Sequence, residues 1–273
     1  MIPFTKAHAC GNDFLIVAED AAGDLDRAEL ARRLCQRNTG VGADGIEFFS
    51  WTGPNSGRVH LHNANGSVAE ISGNGTRCVA AWMTLERGFH TGDELRIETD
   101  AGLRMCRVNL LKTDGEFTVE VTAGMGVPSF APRTVNLDDC VWVKGVEVST
   151  GNPHFVIAVD DAEFTSNEGY DWQTLGAEIC RHHDFPHQTN VEFLRIITPK
   201  EIEIRIFERG VGPTTSSGTG TSAAATAALA LYGCQTPLTV VAPGGPQTVA
   251  WSGPGEELFL TGPATLIARG EAW

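Results

Sequence analysis

Two copies of the motif Ser-Gly-x-Gly-Thr stand 145 residues apart in a chain of 273, Ser72-Gly73-Asn74-Gly75-Thr76 and Ser217-Gly218-Thr219-Gly220-Thr221. Each opens an apolar run that a glycine closes. Val79-Ala80-Ala81-Trp82-Met83 runs to Gly88 and Ala223 to Tyr232 runs to Gly233, and the two glycines, again 145 apart, read as helix C-termini. Ile46-Glu47-Phe48 answers Val191-Glu192-Phe193 at the same offset, and Leu61-His62-Asn63 is matched to Phe207-Glu208-Arg209. A fifth pair, Gly11 to Val17 and Gly151 to Ile157, is offset by 140, which one short loop deletion explains. The offset is a domain length, not the short period of a solenoid. The chain is therefore expected to carry one fold twice.

The length suits that division, since each half can bury its own core. Val121-Thr122-Ala123-Gly124-Met125-Gly126-Val127-Pro128 reads as the linker, with the boundary near 115 to 128. The expected domains are 1–117, completed by 263–273, and 118–262. Strand-like clusters lie at Phe14 to Val17, Phe117 to Val121, Val141 to Val143, Phe155 to Val159 and Glu201 to Ile206. Asp26 to Cys35 and Tyr170 to Cys180 read as amphipathic helices, the first after an Asp cap. The run from Ala223 to Leu231 is apolar all round and must be surrounded by sheet. The expected fold class is α+β, two pseudo-symmetric domains, each a strand-rich sheet or barrel wrapped around a central buried helix.

Charge narrows the partners. With 34 acidic and 20 basic residues the net charge is −14, and no Lys/Arg run accumulates, which disfavours nucleic acid and anionic membranes. The first residues lack the apolar core of a signal peptide and no apolar stretch approaches a membrane span, so a soluble cytoplasmic protein is expected. Seven scattered cysteines, Cys10, Cys35, Cys78, Cys106, Cys140, Cys180 and Cys234, include no C-x-x-C pair and support neither disulfides nor zinc. His182-His183-Asp184-Phe185-Pro186-His187 is the most ligand-like cluster, and a polar surface is its ordinary reading. His60 and His62 alternate on a strand with no third ligand nearby. No metal is expected.

A Gly-rich turn at the start of a buried helix presents backbone N–H groups at the positive end of the helix dipole. Two such turns, related by a pseudo-twofold axis, could grip one carboxylate or phosphate between them. Neither turn is a P-loop, since no Lys follows the last Gly, and neither has dinucleotide-fold spacing. The four lysines, Lys6, Lys112, Lys144 and Lys200, lie outside the repeated motifs, so a pyridoxal Schiff base is not indicated and no cofactor is expected.

Gly11-Asn12-Asp13-Phe14, Asn63-Ala64-Asn65-Gly66-Ser67, Ala69 to Cys78, Gly151-Asn152-Pro153-His154, Thr189-Asn190-Val191, Glu208 to Gly212 and Ser217 to Gly220 together resemble the diaminopimelate epimerase family, in order and spacing, from about residue 8 to 265. The resemblance implies a pyridoxal-independent isomerase that converts LL- to meso-diaminopimelate in lysine and peptidoglycan biosynthesis. It also implies a homodimer. Members of the family use two cysteines, one per domain, as thiolate base and thiol acid. Here Ser72 and Ser217 occupy both positions. Cys78, six residues into the helix, cannot stand in, and Ser216 only duplicates the hydroxyl. A serine hydroxyl is a far weaker acid than a thiol and needs an adjacent base. Two origins fit the pair: an exchange introduced into an ordinary epimerase, or a divergent branch that binds or converts another amino acid. The Ser-rich turn at Ser216, Ser217 and Ser222, and Asn65 where the family motif has Asp, favour the branch.

Carried over by resemblance, the backbone of Gly73, Asn74, Gly218 and Thr219 would hold the α-carboxylate. Asn63, Asn152, Asn190 and Arg209 would meet the distal end of a dicarboxylic amino acid, and Asn12 and Glu208 the α-amino group. His154 and Glu208 are the implied partners of Ser72 and Ser217. Gly45, where some members have Gln, is left unassigned.

Overall fold

A computed structural model describes residues 1–113, 115–138 and 141–273, so Cys140 lies outside the described residues. The chain forms two compact units, Met1–Gly124 with Thr261–Trp273, and Met125–Leu260.

In the first unit the elements run β1 (Ile2–Ala9), β2 (Asn12–Ala18), a short α1 (Glu19–Ala22), α2 (Arg27–Leu34), β3 (Gly45–Gly53), β4 (Ser56–Asn63), β5 (Val68–Ala69), α3 (Gly73–Arg87), β6 (Glu94–Thr99), β7 (Gly102–Lys112) and β8 (Phe117–Gly124). Strand pairing proceeds from β1 to β2, β3, β4, β6, β7 and β8. β17 (Phe259–Ala272) then pairs with both β8 and β1, which closes an eight-stranded barrel. Closure removes exposed sheet edges, and the alternating burial of β6 and β8 turns Leu95, Ile97, Val119 and Val121 inward. α3 fills the interior, with Val79, Ala80 and Met83 fully buried among those strands. The stretch that reads as a linker is strand through Gly124, because Val119, Val121 and Ala123 alternate on the core face.

The second unit runs β9 (Ser129–Asp138), β10 (Val141–Ser149), β11 (Pro153–Ala158), α4 (Trp172–Cys180), β12 (Asn190–Thr198), β13 (Glu201–Glu208), β14 (Gly212–Thr214), α5 (Gly218–Leu231), β15 (Leu238–Ala242) and β16 (Gly245–Ala250). Its pairings repeat the senses of the first unit. β11–β12 is parallel like β2–β3, β12–β13 antiparallel like β3–β4, and β13–β15 parallel like β4–β6. Registers repeat as well. Ile16 faces Glu47 as Val156 faces Glu192, and Phe14 faces Gly45 as His154 faces Asn190. α5, apolar on every side, packs against β10 to β13, β15 and β16.

One sequence match needs correction. Leu61 faces Glu47 and Ile206 faces Glu192, so Leu61-His62-Asn63 answers Ile206-Phe207-Glu208, one residue earlier than the side-chain resemblance suggests. Register outranks the local match because a one-residue slip would turn every core residue of β13 to the opposite face.

The amphipathic helices are likewise one device used twice. Asp26 caps α2 by accepting from the Glu29 amide, and Asp171, 145 residues on, caps α4 by accepting from Gln173 and Thr174. Among the described residues no helix is long and apolar enough to cross a membrane.

Candidate active site

Ser72 and Ser217 are the N-caps of the two central helices. Each has extended backbone angles, and each hydroxyl oxygen accepts from the third amide of its helix, Gly75 at 3.0 Å and Gly220 at 3.1 Å. The glycines of both motifs therefore lie inside the first helical turn. Gly73 and Asn74, and Gly218 and Thr219, are the first two residues of each helix, at the positive end of its dipole. Serine suits the cap because its oxygen satisfies a donor that the helix itself cannot.

Beneath each turn lies a glutamate. A Cβ placed on Gly75 would overlap Glu47 Oε1 and stand 3.2 Å from Ser72 Cβ. A Cβ on Gly220 would meet Glu192 Oε1 at 2.7 Å and Ser217 Oγ at 3.3 Å. Both carboxyl groups are thus seated against the first turn of the helix, beside the cap serine. Glu47 is 2% exposed and Glu192 is fully buried. Desolvation disfavours the charged carboxylate and pushes Glu47 up to about 8. Burial pushes Glu192 up too, opposed by the charge and hydrogen bond of His154.

The surroundings of the two carboxyls differ. His154 Nδ1 is 2.8 Å from Glu192 Oε1, and His154 Nε2 is 2.8 Å from Asn152 Oδ1. Asn152 Nδ2 in turn reaches Thr219 Oγ1 at 3.4 Å, on the first turn of α5. A chain of polar groups therefore joins Glu192 to the head of that helix. In the first unit the residue that answers His154 is Phe14, so Glu47 has no histidine beside it, while Oε2 of both glutamates is buried without a partner.

The first unit builds its own polar chain nearby. Asn74 Nδ2 donates to Asn12 Oδ1 at 3.1 Å, and Asn12 Nδ2 donates to Asp44 Oδ2 at 2.6 Å. The fully buried Arg77 donates to Asn74 Oδ1 at 2.7 Å, while its Nε and Nη1 have no partner. Asp13 receives Lys6 at 3.0 Å and Arg37 at 2.9 Å. Burial alone would raise Asp13, but the hydrogen bonds and charges of Arg37 and Lys6 outweigh it and hold the carboxyl below its ordinary range.

The remaining sequence candidates fall into separate local sets. Asn190 donates to the Pro153 carbonyl at 3.0 Å and accepts from the Arg209 amide at 2.9 Å, which ties Arg209 to β12. The Arg209 guanidinium donates to the His187 carbonyl at 3.1 Å. Glu208 ends β13. Asn63 donates to Ser67 Oγ at 3.0 Å, and Asn65 accepts from the same hydroxyl at 2.7 Å, within one loop. Ser216 is buried and accepts from Gln247 at 3.3 Å, so it does not share the position of Ser217. Burial pushes the thiol of Cys78 well up and that of Cys106 up to about 12, so neither offers a thiolate. His182, His183 and Asp184 do cluster within ligand distance of one another, but His182 Nε2 is already 2.9 Å from the Asn136 carbonyl. His60 pairs with Asp100 and His62 packs edge-on to Phe48.

Sequence reasoning passed over Glu47, Glu192, Asp44 and Arg77. Glu47 and Glu192 did carry a signal: a glutamate inside an apolar strand, repeated at the domain offset.

Comparison with known proteins gives these features a context. Solved structures that share the fold across nearly the whole chain include a predicted epimerase from Pseudomonas aeruginosa, with a TM-score of 0.75 at 15% identity over 100% of this chain and 99% of that one. A probable proline racemase from Agrobacterium radiobacter has a TM-score of 0.75 at 15% identity, covering 100% and 93%. A Bacillus anthracis protein of the phenazine-biosynthesis PhzF family reaches 0.72 at 18%, covering 100% and 99%. Two pseudo-symmetric units with a buried helix in each, taken with the enzymes named below, define an isomerase of the racemase/epimerase class. The family model for diaminopimelate epimerase matches residues 4–131 and 146–267, and the chain belongs to that family. Diaminopimelate epimerases from Moorella thermoacetica and Pseudomonas syringae are 35% and 32% identical to it, over 98% of both chains and 99% of both chains respectively.

Proposed function

We propose that this chain moves a proton at the α-carbon of a dicarboxylic amino acid, with diaminopimelate as substrate and each serine, backed by a buried acid, in place of a thiol. One observation carries the reading. At the start of each central helix a serine and a glutamate crowd the same space beside one glycine, Gly75 or Gly220.

Three physical effects support it. The Gly75 and Gly220 amides already bond the serine oxygens, and the helix dipole adds to them, so negative charge that develops on oxygen is stabilised in place. The neighbouring carboxyls supply the adjacent base that a serine requires. The α-carboxylate of the ligand is assigned to the amides of Gly73 and Asn74 and of Gly218 and Thr219. Arg209, with Asn63, Asn152 and Asn190, is assigned to the distal carboxylate, and Asn12 and Glu208 to the α-amino group. The chemistry then needs no Schiff-base lysine: Lys6 is committed to Asp13 and the Gly42 carbonyl. A role in lysine and peptidoglycan precursor synthesis follows from this reading, as do a cytoplasmic site of action and a homodimer.

Incubation with LL-diaminopimelate, followed by chiral chromatography, tests it. Formation of the meso isomer by this chain, and its loss on Ser72→Ala or Ser217→Ala, is the expected result. Calorimetric binding without conversion would instead describe an amino-acid-binding protein on an epimerase scaffold. Absence of both binding and conversion would refute diaminopimelate as the substrate.

A further inference from the structure

When serine removes a carbon-bound proton, its own hydroxyl proton must go somewhere. In the second unit the Glu192–His154 pair is at hand. The first unit has no such histidine, because Phe14 stands at that place in the register. It has instead a single carboxyl, Glu47, on the buried stretch of β3.

The neighbours of Glu47 are apolar or neutral. Ile16 on β2 and Leu61 on β4 flank it in register. α3 brings Ser72, Gly75 and Cys78, a thiol that burial keeps protonated. Among the described residues no Lys, Arg or His bonds to it, and Oε2 has no partner. A structural carboxyl would be paired or replaced by an apolar residue, since burial without a partner is unfavourable. Gly75 leaves open the space that Glu47 Oε1 occupies, and Ser72 Cβ stands 3.2 Å from where a Cβ of residue 75 would be.

We propose that Glu47 is the acid–base partner of Ser72, accepting the serine's hydroxyl proton as Ser72 accepts the α-proton of the bound amino acid. The proposal rests on the α-proton-transfer reading above. The α-carbon–hydrogen bond breaks and its proton joins Ser72 Oγ. The former Oγ proton passes to the Glu47 carboxylate, and the electron pair remains on the α-carbon, delocalised into the substrate carboxylate. Return of the two protons in reverse order restores Ser72 and Glu47. No oxidant or further reactant is needed. Because Glu47 titrates near 8, the competent carboxylate becomes populated as pH rises through that value.

The test is the rate of α-hydrogen exchange with D2O, measured against pH for the L centre of LL- and the D centre of meso-diaminopimelate with the intact chain and its Glu47→Gln, Ser72→Ala and Ser217→Ala variants. Exchange from one α-configuration is expected to rise with pH through about 8 and to fall at least ~100-fold in both Glu47→Gln and Ser72→Ala. Exchange from the other configuration should stay within a few-fold in those two variants and fall in Ser217→Ala. Equal losses from both configurations in Glu47→Gln would mark a merely structural residue and overturn the proposal, as would an unchanged pH profile. An intact chain that exchanges neither isomer would sink the broader reading along with this one. A 13C carboxyl titration, with Glu47 assigned from Glu47→Gln or from Glu47→Asp if the first variant misfolds, gives a second readout. Titration in the ordinary glutamate range, or no response to Ser72→Ala, would also overturn it.

Discussion

Glu47 occupies the space that a side chain at position 75 would need. The same holds for Glu192 and position 220, and the four positions keep the 145-residue offset. The last glycine of each Ser-Gly-x-Gly motif is therefore there to admit a carboxyl to the head of the helix. Neither of the two has a positive φ.

That contact predicts a coupling. Gly75→Ala should destabilise the fold by about 1–3 kcal/mol, because Glu47 must leave its seat. In a Glu47→Ala background the same change should cost little, since the overlapping oxygen is gone. Urea unfolding of the four proteins in this cycle gives the interaction energy directly. Additive costs would show that Glu47 does not press on the helix.

Glu47 also sets a pH dependence. Its folded-state pKa, about 8, is above the unfolded value near 4.5, so between these values the folded protein holds one more proton than the unfolded chain. The contribution to stability is complete below about pH 4.5 and is lost as pH rises through 8, with a slope of about 1.4 kcal/mol per pH unit. Comparing Glu47→Gln with the parent by denaturant titration from pH 5 to 8 isolates this slope. Parallel curves would contradict the burial argument.

Asp13 contributes with the opposite sign. Arg37 and Lys6 hold it below its ordinary range, so its stabilisation is present at neutral pH and is lost as pH falls below about 4. Asp13→Asn should cost about 1–3 kcal/mol at pH 7 and progressively less in acid. A cost that does not change with pH would show that packing, not charge, is at stake.

His154→Phe asks the second unit to accept what the first already has. Glu192 then loses its partner at 2.8 Å, and the burial that raises it acts without the opposing histidine, as it does on Glu47. The loss at pH 6 should be about 2 kcal/mol and grow toward pH 8, below the full cost of a stranded charge because the carboxyl can take a proton. Thermal unfolding at the two pH values checks this, and an equal loss at both would show that Glu192 stays charged.

Much of this was legible in the sequence because duplication is robust to substitution. The Ser-Gly-x-Gly turns, the closing glycines Gly88 and Gly233 and the paired amphipathic helices could be placed from the sequence, whereas the Asp171 cap emerges only from the structure. The 145-residue offset also places Ile206-Phe207-Glu208 against Leu61-His62-Asn63, and only the side-chain match, one residue on, obscures it. The buried acids were hidden for a related reason. Glu47 sits in an apolar run as a core residue would, and only the orientation of its strand aims it at Gly75. The polar chain Arg77–Asn74–Asn12–Asp44 joins residues from three separate segments, and no local pattern announces it.

In the proposed reaction a serine backed by a buried acid moves the α-proton. Proton NMR of LL-diaminopimelate in D2O tests it, with this chain beside its Ser72→Cys/Ser217→Cys form. Loss of the α-proton signal with both proteins, slower with serine, is the predicted result. Loss with the cysteine form alone would contradict it and leave Ser72 and Ser217 as helix caps on a silent epimerase scaffold.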